Sequence, residues 1–169
     1  DYIIRKAEPA DLEHLPAIER AAAKLFPSED LPAHIHEDAT SIAEFEHAQA
    51  AGRLWVATNG DGRPVGFAHL LPMEQNIHLE ELDVHPDHGR KGMGRKLVQT
   101  VLDWARDEGY PAVTLTTFIH LPWNAPFYET FGFVRLPESA LSDGLRAELD
   151  WEVDQGLERE KRVAMRCDL

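Results

Sequence analysis

Nine consecutive residues between a predicted strand and a predicted helix combine glycine with positive charge. They read His88-Gly89-Arg90-Lys91-Gly92-Met93-Gly94-Arg95-Lys96. Glycines at a helix start let the backbone turn its N–H groups toward an anion. A helix N-terminus carries partial positive charge, so four cationic side chains there repel one another and the helix dipole unless an anion binds. The segment therefore predicts an anion site, with phosphate as the usual ligand, rather than a turn that needs glycine for steric reasons only.

Two common phosphate-binding patterns do not fit this segment. A P-loop needs Gly-Lys followed by Ser or Thr, and Leu97 stands where a dinucleotide fingerprint has its third glycine. The segment resembles instead the pyrophosphate loop of the GNAT superfamily of acetyltransferases, Gln/Arg-x-x-Gly-x-Gly/Ala, with Gly92 and Gly94 as its glycines. Gly89 stands where that family usually has Gln or Arg, which removes a side chain but no backbone donor.

Two further segments are similar to the same family and follow in its order. Leu82-x-Val84-x-Pro86 resembles the family's fourth strand, and Tyr128-Glu129-Thr130-Phe131-Gly132-Phe133 resembles its Tyr-x-x-x-Gly-Phe signature. The resemblance implies an α/β fold of GNAT type: a mixed, mostly antiparallel sheet flanked by helices, with two central parallel strands that splay apart. Those two strands would be Ile77–Val84 and Ala112–Phe118.

The resemblance also implies acetyl-CoA as co-substrate, with no metal. The implied cofactor-binding residues are Leu82 and Val84 through their main chain, the loop residues Gly89, Arg90, Lys91, Gly92, Met93, Gly94 and Arg95, and Asn124. The family often has Asn seven residues before the Tyr, a position that Leu121 occupies here. Asn124 lies closer to the Tyr, where it either contacts the cofactor or only caps a short helix.

Transfer of an acetyl group to an amine needs a neutral amine and a proton for the departing thiolate. The resemblance places Tyr128 as the acid that protonates the CoA sulfur, whereas its alternative role is aromatic packing. If the fourth strand alternates cleanly, His78 and Glu80 point toward the acceptor. Glu80 could take the proton through water, and His78 has the more suitable unperturbed pKa. A bulge would bring Glu81 into that role instead, and His120 is a further candidate.

The acceptor is expected between the loop around His34–Asp38 and the segment Ser139–Glu160. Both Trp123 and Trp151 could wall it. The second segment also carries acidic side chains that suit an ammonium group, at Glu148, Asp150, Glu152 and Asp154. These residues favour a small cationic primary amine, while an amino acid or a peptide N-terminus stays open.

The remaining reactive groups are weaker candidates for a nucleophile or a metal site. The local sequence places no His beside Cys167 to activate it, which argues against an acyl-carrying thiol. Two histidine groups could ligate a metal, but neither brings a complete ligand set. These groups are His34, His36 and Glu37, and His85 with His88.

The composition argues against two classes of partner. Thirty Asp and Glu against seventeen Lys and Arg give the 169-residue chain a formal charge of −13, which repels nucleic acid and anionic membranes.

We expect a single domain over residues 1–169, with no apolar run long enough to cross a bilayer and no signal-peptide pattern. One cysteine indicates a reducing compartment, and we expect a cytoplasmic protein. The family often forms homodimers, so a homodimer is compatible with the resemblance.

The elements that must position these residues follow from hydrophobic periodicity and turn signals. Strands are predicted at Tyr2–Ala7, Leu54–Thr58, Val65–Leu71, Ile77–Val84, Ala112–Phe118, Phe133–Leu136 and Arg162–Cys167. Helices are predicted at Ala10–Phe26 with a break at Pro16, Thr40–Ala51, Lys96–Glu108, Ala125–Phe131 and Leu141–Leu157, and Pro27–Asp38 is predicted as a loop.

A different function class remains open at this point. A protein of the same fold that binds acyl-CoA as a sensor would carry the same glycine loop, and turnover that depends on Tyr128 would separate the two readings. A structural partner-binding domain predicts no CoA affinity at all.

Overall fold

The computed structural model describes residues 1–37 and 40–169, and only the backbone of residues 36 and 37. The strands are β1 Ile3–Lys6, β2 Leu54–Thr58, β3 Pro64–Met73, β4 Asn76–Val84, β5 Ala112–Phe118, β6 Val134–Arg135 and β7 Arg162–Asp168. The helices are α1 Leu15–Ala23, α2 Ala33–Glu37, α3 Ile42–Ala50, α4 Met93–Asp107, α5 Ala125–Glu129 and α6 Asp143–Asp154.

The strands form a mixed sheet in the order β1-β2-β3-β4-β5-β7-β6. Antiparallel registers join β1 to β2, β2 to β3, β5 to β7 and β6 to β7. Strands β4 and β5 are parallel, with Ile77 opposite Val113 and His78 opposite Thr114. A mostly antiparallel sheet that contains a parallel pair and is flanked by helices confirms the predicted fold class.

The chain divides into two compact units. The first comprises residues 1–71 and 79–103, and the second comprises residues 72–78 and 104–169. Within the described part of the chain, no helix is both long and apolar enough to span a bilayer. The single domain expected over residues 1–169 stays a prediction.

The core of the first unit lies where helices α1 and α3 meet strands β2 and β3. Helix α1 presents Leu15 and Ile18 three residues apart, and both are buried because that spacing places them on one helix face. The Phe45 and Phe67 rings meet edge to face with centroids 5.4 Å apart. Residues Pro9–His14 form a 3-10 helix, and α1 starts anew at Leu15 with Pro16 in its first turn, where the missing N–H breaks no bond, so the predicted break at Pro16 is confirmed.

The core of the second unit has helix α6 against strand β7. Leu145 and Leu149, four residues apart on α6, pack with Ala164. The backbone N–H of Leu145 donates to Ser142 Oγ at 3.3 Å, which caps the helix at its N-terminus. Helix α6 therefore begins two residues later than predicted and ends at Asp154.

Two further element predictions need correction. The segment Pro27–Asp38 is not a loop throughout, because Ala33–Glu37 forms the short helix α2, with Ile35 N donating to Pro32 O at 3.0 Å. Helix α4 begins at Met93, three residues before the prediction, and Lys96 N donates to Gly92 O at 3.1 Å. The prediction began with the apolar spacing at Leu97, but a helix's first turn needs no apolar side chain.

We expect Gly66→Ala to destabilise the protein, because strand β4 passes directly over this position. An added Cβ would lie 2.9 Å from Asp83 O and 3.2 Å from Val84 Cγ2. Such a contact with backbone forces the strands apart and lowers the free energy of unfolding by about 1–3 kcal/mol, measured by urea denaturation. The control is Gly60→Ala, where a Cβ meets nothing within 4 Å. Equal urea midpoints for the two variants would contradict the close approach.

Candidate functional site

The loop between β4 and α4 turns back on itself through two left-handed residues. Arg90 has φ 60° and Gly92 has φ 81°. A left-handed conformation is ordinary for glycine but strained for arginine, and such strain concentrates at ligand-binding segments. Helix α4 then begins at Met93, so the first-turn N–H groups, which have no partner within the helix, lie directly after this turn.

The charged side chains of this loop lie on the surface of the first unit. Arg90, Lys91, Arg95 and Lys96 are all exposed. Met93 is only 2% exposed, so its side chain belongs to the core and only its main chain is available to an anion. A helix N-terminus with four exposed cationic groups around it suits a polyanion.

Tyr2, near the start of the chain, binds the loop through its hydroxyl group. Its hydroxyl shares a hydrogen bond of 2.9 Å with His88 Nδ1 and accepts one of 3.2 Å from Lys91 Nζ. His85 Nδ1 accepts from Asp87 N at 3.1 Å, which orders the turn before the glycines. His85 and His88, the second of the two histidine groups considered as metal ligands, are thus engaged in contacts that order the loop. Sequence reasoning missed Tyr2, because 86 residues separate it from His88.

Strand β4 carries two acidic side chains toward helix α1. Glu81 and Asp83 lie two residues apart and share a side of the strand, while Leu82 points to the other side. Carboxylate oxygens of Glu81, Asp83 and Glu19 of α1 all lie within 4.8 Å of one another. Sequence reasoning weighed Glu81 alone here and missed Glu19 and Asp83, since no local pattern connects α1 with β4.

This carboxylate cluster is unusual in its burial. Asp83 is 7% exposed, and its Oδ2 has no hydrogen-bond partner among the described residues. Burial raises the pKa of Asp83 to about 7; a hydrogen bond between the Asp83 and Glu81 side chains opposes the shift, and the nearby charge of Glu19 adds to it. Burial also raises the pKa of Glu19, although two hydrogen bonds from Thr40 oppose the shift. Asp83 and Glu19 therefore keep their protons to a higher pH than ordinary carboxyl groups do.

His69 is a second buried polar residue of the first unit. It is 1% exposed and packs against Phe45 at a centroid distance of 5.6 Å, and neither ring nitrogen has a hydrogen-bond partner among the described residues. Burial lowers its pKa to about 4, so the ring is neutral at pH 7. No chemistry in the proposed reaction requires it.

His78 lies in the second unit, on the first part of β4. It is 1% exposed, and its Nδ1 is joined to Thr114 Oγ1 by a hydrogen bond of 2.8 Å. Burial lowers its pKa to about 4, which keeps the ring neutral at pH 7. A ring nitrogen lies within 4.8 Å of a carboxylate oxygen of Glu148, a half-buried residue whose pKa burial raises.

The acidic residues of α6 do not all face an acceptor. Glu152 is buried and accepts from Arg162 Nε at 2.8 Å and from Thr116 Oγ1 at 2.5 Å. Arg162 also lies 4.4 Å from the centroid of the Phe118 ring. The charge of Glu152 is therefore compensated within the unit.

The other predicted acceptor residues of this segment are more exposed than Glu152. A groove of about 460 Å³ is lined by residues that include Asp150 and Asp154, but Arg146 and Arg159 line it too, so its charge is mixed. Trp151 is 55% exposed, and so it is not a core residue. The other predicted acceptor element includes Asp38, which lies outside the described residues, as do the side chains of His36 and Glu37.

Helix α5 carries the predicted acid. Tyr128 is 8% exposed, and its ring packs edge to face against Phe127 and Phe133 at centroid distances of 5.2 and 5.7 Å. Asn124 occupies the N-cap position but makes no capping bond with its side chain, so the prediction that it caps the helix is wrong in that respect. Its Nδ2 donates to Trp123 O instead, and its Oδ1 is buried without a partner among the described residues.

The predicted site residues fall in both units. Glu80, Leu82, Val84 and the loop from Gly89 to Arg95 belong to the first unit, and all except Met93 are at least partly exposed. His78, Tyr128 and Asn124 belong to the second unit, as does His120, which is exposed and packs against Phe118.

Comparison with known proteins shows the family to which the chain is similar. The model of the acetyltransferase (GNAT) family matches residues 15–133. N-acetyltransferase 8 of Rattus norvegicus is 31% identical over 129 residues, which cover 73% of this chain and 55% of that protein. N-acetyltransferase 8 of Homo sapiens is 31% identical over 108 residues, 60% of this chain and 47% of that protein. The chain spans about half the length of these curated relatives.

Solved structures share the fold at lower sequence identity. The PaiA N-acetyltransferase from Thermoplasma acidophilum, in complex with coenzyme A, superposes with a TM-score of 0.70 at 19% identity, covering 100% of this chain and 99% of that one. The ribosomal-protein-S18-alanine N-acetyltransferase from Escherichia coli gives a TM-score of 0.70 at 20% identity, with 99% and 94% covered.

Proposed function

The chain belongs to the acetyltransferase (GNAT) family, and on that premise we propose that it transfers the acetyl group of acetyl-CoA to a primary amine, with a small cationic amine as acceptor. The observation that carries this proposal is the loop between β4 and α4. Left-handed turns at Arg90 and Gly92, the start of α4 at Met93 and four exposed cationic side chains suit the pyrophosphate of CoA. The neighbour from Thermoplasma acidophilum, which was solved with coenzyme A, supports this assignment.

The main chain of β4 would hold the pantetheine arm. Leu82 and Val84 are half-buried, and a strand offers N–H and C=O groups at a fixed spacing to the amides of an extended ligand. Asn124 would contribute the buried Oδ1 that lacks a partner among the described residues. That atom accepts a hydrogen bond, so an amide N–H of the pantetheine is the group that suits it.

The reaction would proceed by direct transfer. The amine nitrogen attacks the thioester carbon, the C–S bond breaks, and the departing thiolate takes a proton. Tyr128 would donate that proton, and its packing between Phe127 and Phe133 fixes the orientation of the phenol. Holding both reactants in line would supply much of the acceleration.

Glu80 is the preferred base for the amine proton. His78 is buried and its pKa is about 4, so it attracts a proton less strongly than an ordinary histidine at pH 7. Glu80 is half-buried on β4 and can act through water. Glu81 and His120 remain alternatives, and Glu81 lies in the carboxylate cluster with Glu19 and Asp83.

Two broader features support the acceptor and the setting. The relatives' names describe N-acetyl transfer, which supports an amine as acceptor. A net charge of −13 attracts cationic molecules and repels nucleic acid. The proposal also includes a reducing, cytoplasmic environment, which the lone cysteine, Cys167, supports.

The cofactor assignment is tested by calorimetric titration of CoA and acetyl-CoA. We expect saturable binding to the wild type and about tenfold weaker binding when Arg90 and Arg95 are both changed to Ala, since two charge-assisted contacts are lost. The control changes Lys24 and Arg63, two exposed cations outside the loop, to Ala. This control removes the same net charge and should bind CoA nearly as the wild type does.

Each result of that titration has a distinct meaning. Equal weakening in both double variants would assign the effect to net charge and contradict binding at the loop. No binding to the wild type would remove the proposed function. Binding without acetylation of any amine would favour an acyl-CoA sensor of the same fold.

We expect Tyr128→Phe to lower kcat about 100-fold while leaving the KM for acetyl-CoA unchanged, because the ring still packs but the thiolate loses its proton donor. The measurement is steady-state CoA release with a saturating amine. Tyr110→Phe, in the loop after α4 where Tyr110 packs against Trp104, is the matched control and should retain full activity. An unchanged kcat in Tyr128→Phe would exclude this residue as the acid.

A further inference from the structure

Three carboxyl groups converge within the first unit, away from the cationic loop side chains. Glu19 extends from α1, and Glu81 and Asp83 extend from the same side of β4, with oxygens of all three within 4.8 Å of one another. Like charges at this separation repel, and burial increases the repulsion because the local dielectric constant is low. Such a cluster requires protons or a cation to balance it.

One atom of the cluster points to a ligand independently of the grouping. Asp83 is 93% buried, its side chain is directed into the cluster, and its Oδ2 has no hydrogen-bond partner among the described residues. A buried polar atom without a partner destabilises a protein, so such an atom suggests that something binds it. The atom is a carboxyl oxygen, which accepts hydrogen bonds when ionised and therefore suits a donor with positive charge.

Glu19 is held in place but keeps capacity to bind. Its Oε1 accepts from Thr40 N at 2.8 Å, and its Oε2 accepts from Thr40 Oγ1 at 2.9 Å. Each oxygen of a carboxylate can accept a second bond, so both remain available. Glu19 and Glu81 are half-buried, so part of each side chain reaches solvent, whereas Asp83 is buried.

We propose that Glu19, Glu81 and Asp83 form the subsite that first receives the acceptor amine as an ammonium ion, with Glu81, the alternative to Glu80 on this side of β4, taking its proton. A primary ammonium group has three N–H donors in a tetrahedral arrangement. With charge-assisted bonds of about 2.8 Å, three acceptors around it lie roughly 4.6 Å apart. This spacing is within the limit that the three carboxyl groups satisfy.

The inference rests on the proposed function, because that reaction requires an amine to reach the enzyme. An alkylamine is almost entirely in its ammonium form at pH 7. The site that first receives it must therefore recognise a cation with N–H donors. A divalent cation would also suit three carboxylates, and the experiment treats that ligand as a competing outcome.

The test compares two acceptors of similar size on matched variants. 2-Phenylethylamine is an ammonium ion at pH 7, whereas 4-ethylaniline is a neutral arylamine at the same pH. We expect Glu19→Gln and Asp83→Asn to raise the KM for 2-phenylethylamine at least tenfold while changing the KM for 4-ethylaniline and for acetyl-CoA less than twofold. Glu46→Gln, an exposed site on α3, removes one negative charge elsewhere and should match the wild type.

Direct binding separates this inference from the proposed function. 2-Phenylethylamine and calcium chloride are each titrated by calorimetry into wild type and variants, with and without CoA, and thermal unfolding confirms that each variant folds. If Asp83→Asn does not fold, Glu19→Gln decides, since its side chain is half-buried. Tenfold weaker amine binding in the variants supports the subsite even where no turnover is found.

Other outcomes overturn the inference. Acetylation of 2-phenylethylamine with equal KM in wild type, Glu19→Gln and Asp83→Asn would reject the subsite and leave the proposed function intact. Calcium binding that these variants abolish, without amine binding, would replace the subsite by a metal site. Absence of both amine and calcium binding would reject a cation subsite altogether.

Discussion

The electrostatic field at the N-terminus of helix α4 is the constraint on which the candidate site depends. The helix dipole, the unpaired first-turn N–H groups and the side chains of Arg90, Lys91, Arg95 and Lys96 all add positive potential in one place. The repulsion among these side chains is not compensated by burial of their apolar parts, because all four are exposed. Arg90 has a strained left-handed backbone, and the four cationic side chains are concentrated here although the net charge of the protein is −13. Both features are explained if a polyanion binds the loop.

Strand β4 connects this loop to the rest of the proposed chemistry. It ends where the loop begins, so in the proposed function the main chain of Leu82 and Val84 leads to the pyrophosphate-binding loop. On its other side, Glu81 and Asp83 face Glu19 of α1. Gly66 of β3 allows β4 to approach closely, because any Cβ there would meet Asp83 O at 2.9 Å. One strand thus has main-chain groups for the cofactor and carboxyl groups for a cation.

Local sequence patterns predicted the parts of the fold that local physics decides. The bounds of β2 and β5 agree with the prediction, since β-branched runs with clear turn signals define them. Helix α3, predicted from Thr40, is capped by Ser41 and begins at Ile42, so its start was predicted to within two residues. The glycine loop was also found from local charge and glycine spacing, because both features lie within nine residues.

Features that depend on tertiary contacts were missed. The bond between Tyr2 and His88 and the approach of Glu19 to Asp83 join distant segments, and no local period reports them. The prediction gave His78 an ordinary pKa, whereas burial against Thr114 lowers it to about 4. Glu152 was expected to receive an ammonium group, but Arg162 already pairs with it. Burial and pairing decide the chemistry of an ionisable group, and both are set by the whole fold.

The most direct test of the central claim is hydrogen–deuterium exchange of the backbone amides with and without CoA. If the loop binds pyrophosphate through main-chain N–H groups, the amides from Arg90 to Lys96 should exchange more slowly when CoA is bound, and inorganic pyrophosphate alone should protect the same peptide. Protection of other segments, with this peptide unchanged at saturating CoA, would contradict the account.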